Sequence, residues 1–372
     1  MSRKIDYSTR ELHAAFDAAF RTVFLAAVFF AGLHHQEFFV TLDGTHRPFY
    51  GKSYAYGDDQ PKVREDDLTT AGRWTTGAFK ASTSPTRRGD PMYPGTLHKH
   101  DYFQLSGHLY KTQESFPLAI RRGLASAAST QELLAQLDAL PRLPAMLFAD
   151  KAFANEPQTE VLRRWCDPKR VAILIAMPKR SGIRKIVQHD WHTGIAQPVP
   201  NAPEVMLWSV RRHHWREKPQ RPYNLLTLYF QGKPRKELFE ENHDLLRLPK
   251  GYFAICFYTN IDVTSENVYW LSRQYSYRWS CENLYKRCKA TSGRSGSHSM
   301  FLRDFMYNTA MLMHGTYALW RLERSRRLNL RLHDPTVSMS RYFGDLQTRL
   351  RDRLRAEYLH IAPVGAPARF TA

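Results

Sequence analysis

Apolar residues fall three to four apart from residue 9 to about residue 33, with Leu12, Phe16, Phe20 and Val23 on one side, which predicts a helix. Residues 38–42 form a short, partly β-branched apolar run that ends at Asp43-Gly44, the pattern of a strand followed by a turn. Residues 51–95 are polar and rich in Gly, Pro, Thr and charge, so they read as loop with at most a short hairpin. Residues 102–118 can supply one or two strands. Residues 129–140 predict an amphipathic helix with Thr130 as its cap and Glu132 in its first turn.

An apolar run at 144–149 ends at Asp150, a helical pattern occupies 156–165, and 171–177 is nearly all apolar, as in a strand covered on both faces. Strand, helix and strand in succession imply a parallel βαβ unit. Residues 178–249 change character, with Trp208, Trp215 and the apolar run 225–230 set among many Arg, Lys and Pro, and predict short strands and basic loops. A buried strand is expected at 252–258 and an apolar helix at 301–322. Arg-dense segments at 321–331 and 349–355 follow, then a Pro/Ala/Gly tail after Ala362. No internal repeat is visible.

Between the last strand and the apolar helix, Tyr275, Arg278, Glu282 and Lys289 recur at intervals of three, four and seven. On a helix they share a stripe about 60° wide. Tyr277, Cys281, Leu284 and Cys288 lie on another side and can face a core. Glu282 can hold a divalent metal, Arg278 and Lys289 can clamp phosphodiester oxygens, and Tyr275 can donate to another. The alternative is a solvated face with an i, i+4 Arg–Glu pair.

Charge narrows the partner. Fifty-four Lys and Arg against 35 Asp and Glu leave +19, with a pI near 9.8, which points to a polyanion, nucleic acid before an anionic membrane surface. The longest apolar run, 22–33, is shorter than the about 20 residues a spanning helix needs, so it reads as a buried helix and no membrane is expected. No cleavable leader is apparent. The four cysteines are too few and scattered for a disulfide scaffold and lack zinc spacing, which fits a reducing cytoplasm. Asp43 and Asp150 each follow an apolar run that should be a central strand; each could equally be a turn or cap residue. With Glu282 they make three carboxylates from three separated elements, a hard-oxygen set suited to Mg²⁺ or Mn²⁺ and to in-line displacement at phosphorus. No Ser-His-Asp or Cys-His arrangement competes with them.

The spacing Tyr275-(2)-Arg278-(3)-Glu282-(6)-Lys289 resembles the YREK signature of DDE insertion-sequence transposases. Other segments look like the same class: Leu42-Asp43-Gly44-Thr45 with Pro48-Phe49-Tyr50-Gly51, Phe148-Ala149-Asp150-Lys151-Ala152-Phe153, Pro178-Lys179-Arg180, and Arg303-Asp304-Phe305-Met306-Tyr307-Asn308. The resemblance covers roughly residues 38–322. It implies an α/β fold, an RNase H-like mixed sheet flanked by helices and interrupted by a mostly β insertion subdomain. The expected division is a short helical segment at 1–37, core at 38–177, a DNA-contacting insertion at 178–250, core with the YREK helix at 251–322, and a basic helical region with a flexible tail at 323–372.

The same resemblance implies Asp43, Asp150 and Glu282 as a catalytic triad holding two Mg²⁺ or Mn²⁺ ions. Tyr275, Arg278 and Lys289 would bind transposon-end phosphates, with Lys179, Arg180, Arg211 and Arg212 as further basic contacts. Trp208 and Trp215 are candidates to stack on a flipped base, a core position being the other reading. The implied activity is metal-dependent cleavage at transposon ends and strand transfer into target DNA, of cut-and-paste type. A homodimer in a synaptic complex, acting in the prokaryotic cytoplasm at the nucleoid, goes with it. Two departures stand out: only 42 residues precede Asp43, and Lys151 replaces the commoner Arg. The short start leaves two expectations: end recognition by the insertion and the C-terminal Arg-rich helices, or a shortened copy. An inactive DNA-binding derivative, or a nuclease without strand transfer, remains the alternative.

Overall fold

The computed structural model describes residues 9–31, 38–49, 98–109, 112, 114–122, 126–178, 181–202, 206–213, 223–232, 246–278, 284–285, 288, 300–329 and 338–361. The loop expected at 51–95 lies outside them. In chain order the elements are α1 (Thr9–Phe30), β1 (Phe38–Phe49), β2 (His98–Leu109), β3 (Glu114–Arg122), α2 (Ala127–Asp138), β4 (Met146–Ala149), α3 (Glu156–Lys169), β5 (Ala172–Ala176) and α4 (Ser181–His192). The second half adds β6 (Gln197–Pro198), β7 (Met206–His213), β8 (Tyr223–Gln231), β9 (Leu246–Arg247), β10 (Tyr252–Thr259), α5 (Val268–Gln274), α6 (Met300–Arg327) and α7 (Met339–Ile361).

One mixed sheet joins the strands in the order β3-β2-β1-β4-β5-β10-β8-β7-β6, with β9 also on β10. β1, β2 and β3 form an antiparallel meander, whereas β4 and β5 run parallel to β1 and to each other. The crossover between β4 and β5 is α3, so the expected βαβ unit is present. With helices on both faces, this is the RNase H-like mixed sheet. β10 then pairs antiparallel with β5 and carries β8, β7 and β6 outward, so strands from the 178–250 segment extend the same sheet.

Four local expectations need correction. The strand at 38–42 does not turn at Asp43-Gly44: β1 runs on to Phe49, because every residue from Phe38 to Phe49 finds a register partner on β2. The cap of α2 is Ser126, not Thr130. Ser126 accepts from the Ser129 amide while the Ser129 side chain accepts from the Ser126 amide, and Thr130 is buried inside the helix. Between residues 178 and 249 a helix, α4, stands among the strands, driven by Ile183 and Val187 packing inward at helical spacing. Finally, the polar stripe does not begin on a regular helix: α5 already runs from Val268, and Tyr275–Arg278 is a 3₁₀ turn continuing it.

The two sheet faces bury different things. On one, Val40, Leu42, Phe103, Leu105 and Phe116 meet Phe24 and Ala27 of α1 and Leu133, Leu134 and Leu137 of α2. Gly107 lets α1 approach, since a Cβ there would sit 2.5 Å from the Phe24 ring. On the other face β2 alternates Tyr102, Gln104, Ser106 and His108, and all four are buried. α1 includes a stretch, Glu11–Phe30, long and apolar enough to cross a membrane by length and composition, although the apolar run 22–33 is not. Here Phe20, Phe24 and Ala27 of that stretch are buried, and α1 packs on β3 and α6. Its Asp17 is matched by Arg121 of β3, which also binds Glu132 of α2.

His108 sits at the centre of the polar face, with Nε2 2.6 Å from Thr41 Oγ1 and Nδ1 2.8 Å from Ser115 Oγ. Burial pushes its pKa down to about 3 from an ordinary 6.5. The unfolded ring therefore takes up a proton near pH 6.5 that the folded ring refuses until about pH 3. Its contribution to stability is complete above pH 6.5 and declines as pH falls toward 3. Between pH 7 and pH 4.5 this one ring should cost about 3 kcal/mol. Urea titrations at the two pH values should show a His108→Gln variant losing less stability than the parent by roughly that amount.

Candidate active site

Leu42 and Ala149 are register partners on the adjacent parallel strands β1 and β4, and the Asp150 amide donates to the Leu42 carbonyl at 3.1 Å. The next residue on each chain is an aspartate, so Asp43 and Asp150 stand side by side at the same level of the sheet's centre. Strand alternation puts both on the face where Phe39 and Phe148 lie, the face covered by Tyr275. Asp150 precedes a 3₁₀ turn, Lys151–Phe153, yet makes no side-chain cap bond to it. Its half-buried carboxylate is left for something other than local structure.

Asp43 is buried and held on both oxygens: Oδ1 accepts from the Gly44 amide at 2.8 Å, and Oδ2 accepts from Arg278 Nη1 at 2.8 Å. Arg278 reaches it because residues i and i+3 of a 3₁₀ turn eclipse one another. Its guanidinium carbon lies 5.4 Å from the centroid of the Tyr275 ring, which leans on Phe257 and Phe148 at 4.8 and 6.3 Å. Tyr275 is thus 7% exposed and belongs to the apolar core. Across the strand pair from Asp43 stands Gln104, fully buried, its Nε2 donating to Ser106 Oγ at 2.7 Å while its Oε1 has no hydrogen-bond partner among the described residues. Sequence reading passed over Gln104. The period-two alternation of 102–109 was its only signal, and a polar face ordinarily reads as solvent-facing.

Glu282, Lys289, Lys179, Arg180 and Trp215 lie outside the described residues. Leu284 and Cys288, on the apolar side of that motif, are buried. Trp208, on β7, is buried among Val199, Met206 and Leu228. Arg211 is half-buried and its Nε is paired at 2.5 Å with Asp190, a buried carboxylate of α4 that also accepts from Ser209. Arg212 beside it is exposed. Among the described residues no three of His, Cys, Asp and Glu gather in a metal-holding group. Asp43 and Asp150 follow register partners on adjacent strands, and Gln104 is the register partner of Asp43 on β2; oxygen groups of this kind suit a hard divalent cation and offer nothing to zinc.

A family model described as the transposase DDE domain matches residues 81–315, more than half of the chain. The chain belongs to the DDE transposase family. The match includes Asp150 and Glu282 and starts after Asp43, which stands beside Asp150 through the β1–β4 register. No curated protein matches the chain. A DDE transposase cuts and transfers DNA strands, binds DNA, and works with divalent metal ions.

Proposed function

We propose that this transposase cuts DNA at the ends of its own element and joins them to target DNA by a cut-and-paste route, at a site made of Asp43, Asp150 and Glu282. The observation that carries this reading is the flush placement of Asp43 and Asp150 on adjacent parallel strands, with Asp150 uncommitted to any cap. Asp43, Asp150 and Glu282 would hold two Mg²⁺ or Mn²⁺ ions. When bound, such ions activate the attacking oxygen and stabilise the leaving one during in-line displacement. The chain's own groups do the rest. Arg278, with Lys289, Lys179, Arg180 and Arg212, supplies cations for strand phosphates, while Arg211 is anchored by Asp190 and shapes the surface of β7. The Tyr275 ring lies beneath the Arg278 guanidinium. Residues 178–250 serve as the insertion between the two core parts, and 323–372 as a basic helical region. The protein would act as a homodimer on paired ends in the prokaryotic cytoplasm.

Incubation with Mg²⁺ and duplexes bearing the element's ends, followed by sizing of the products, tests this. Free 3′-hydroxyl ends and joined target molecules are expected. Nicked ends without joined product would make it a nuclease only, and binding without any cut would make it a DNA-binding derivative. Affinity for these duplexes should fall steeply with salt. About six phosphate contacts lose roughly 10³-fold between 50 and 200 mM. A flat titration over that range would remove extensive phosphate contact from the scheme.

A further inference from the structure

We propose that Arg278 is a latch on the metal site, released by DNA. In the protein alone its guanidinium occupies the cation position at Asp43, and a strand phosphate must draw it away before a divalent ion binds there at full affinity. This rests on the assignment of Asp43 as a metal ligand and of Arg278 as a phosphate ligand.

Three observations carry it. First, Asp43 Oδ2 is committed to Arg278 at 2.8 Å and Oδ1 to the Gly44 amide at 2.8 Å, so the carboxylate is engaged on both oxygens. Second, the pair is shielded from water, with the two side chains 3% and 13% exposed, so solvent does little to screen a second cation brought against the first. Third, an arginine cannot leave by losing its proton. It must move, and the exchange open to it is one charge-assisted hydrogen bond for another, carboxylate for phosphate. Arg278 is placed for that exchange: it ends a 3₁₀ turn, and its guanidinium lies over the Tyr275 ring. DNA then becomes a condition for loading metal, and cutting chemistry is withheld from the unbound protein.

Mn²⁺ binding to the full-length protein, followed by the free-ion electron paramagnetic resonance signal, tests the latch. The parent, Arg278→Gln, Arg278→Lys and Asp43→Asn proteins would be titrated alone and with a pre-cut end duplex lacking its 3′-hydroxyl. The parent should bind Mn²⁺ weakly alone and roughly tenfold or more tightly with the duplex, the size of effect a neighbouring like charge exerts. Arg278→Gln should bind tightly without DNA and gain little from it. Arg278→Lys keeps the charge and should stay weak. Thermal melts check that each variant is folded. If Arg278→Gln binds no tighter than the parent without DNA, while Asp43→Asn abolishes binding, Arg278 merely positions Asp43 and the latch is wrong. If no protein shows Mn²⁺ binding that depends on Asp43, the metal assignment itself fails.

Discussion

An Asp150→Asn transposase is expected to fold and to bind its element's ends as tightly as the parent, and to cut them about 10³-fold more slowly. That factor corresponds to the several kcal/mol that metal-assisted charge stabilisation supplies, at 1.36 kcal/mol per tenfold in rate. The fold should tolerate the change because the Asp150 carboxylate makes no cap bond, and its backbone link to Leu42 survives in asparagine. Nicking rates on end-labelled duplexes, beside a thermal melt and a binding isotherm, measure it. Near-parental cutting would take Asp150 out of the site. Asp43→Asn is the less clean experiment, because it also removes the counter-charge of a shielded arginine.

Arg121→Met should be a severely damaging change to stability, by about 3–5 kcal/mol, since it strips the buried Asp17 carboxylate, whose pKa burial already raises, of its hydrogen-bonded counter-charge. Arg121 ties three elements at once: α1 through both oxygens of Asp17, α2 through Glu132, and its own strand through the Ile120 carbonyl. Denaturant titration of the single variant and of Asp17→Leu/Arg121→Met separates lost attraction from stranded charge. The double variant should recover most of the loss, because a buried pair replaced by apolar groups is close to neutral. A double variant as weak as the single would mean that the three-way tie itself carries the stability.

Much of the core was legible because its strands are buried on both faces. The runs at 144–149 and 171–177 have no polar alternation, and both became central parallel strands with a helix between them. What escaped reading were features set by partners distant in sequence. Nothing local to Asp43-Gly44 distinguishes a turn from a continuing strand. The decision is made by β2, whose pairing with β1 reaches as far as His98 opposite Phe49. Tyr275 has the spacing of a surface stripe, but it lies against Phe148 and Phe257, which arrive from two other strands. The Arg278–Asp43 contact joins positions 235 apart in sequence, beyond any periodicity argument. Ser126 was missed as a cap because its capping-box partner is Ser129, not the usual Glu or Gln. The two aspartates were legible as strand-end residues; that they stand level with one another follows only from the β1–β4 register.

The pairing of β10 with β5 also bears on how the chain is made. β5 reads Ala-Ile-Leu-Ile-Ala and is complete by residue 176, but its second neighbour spans Tyr252–Thr259. For the whole interval of synthesis between them, a short and wholly apolar strand presents an unsatisfied ladder edge, the kind that captures other chains. A nascent or truncated polypeptide ending before β10 is therefore a candidate for aggregation and for chaperone capture, and solubility arrives only when the last core strand has been translated.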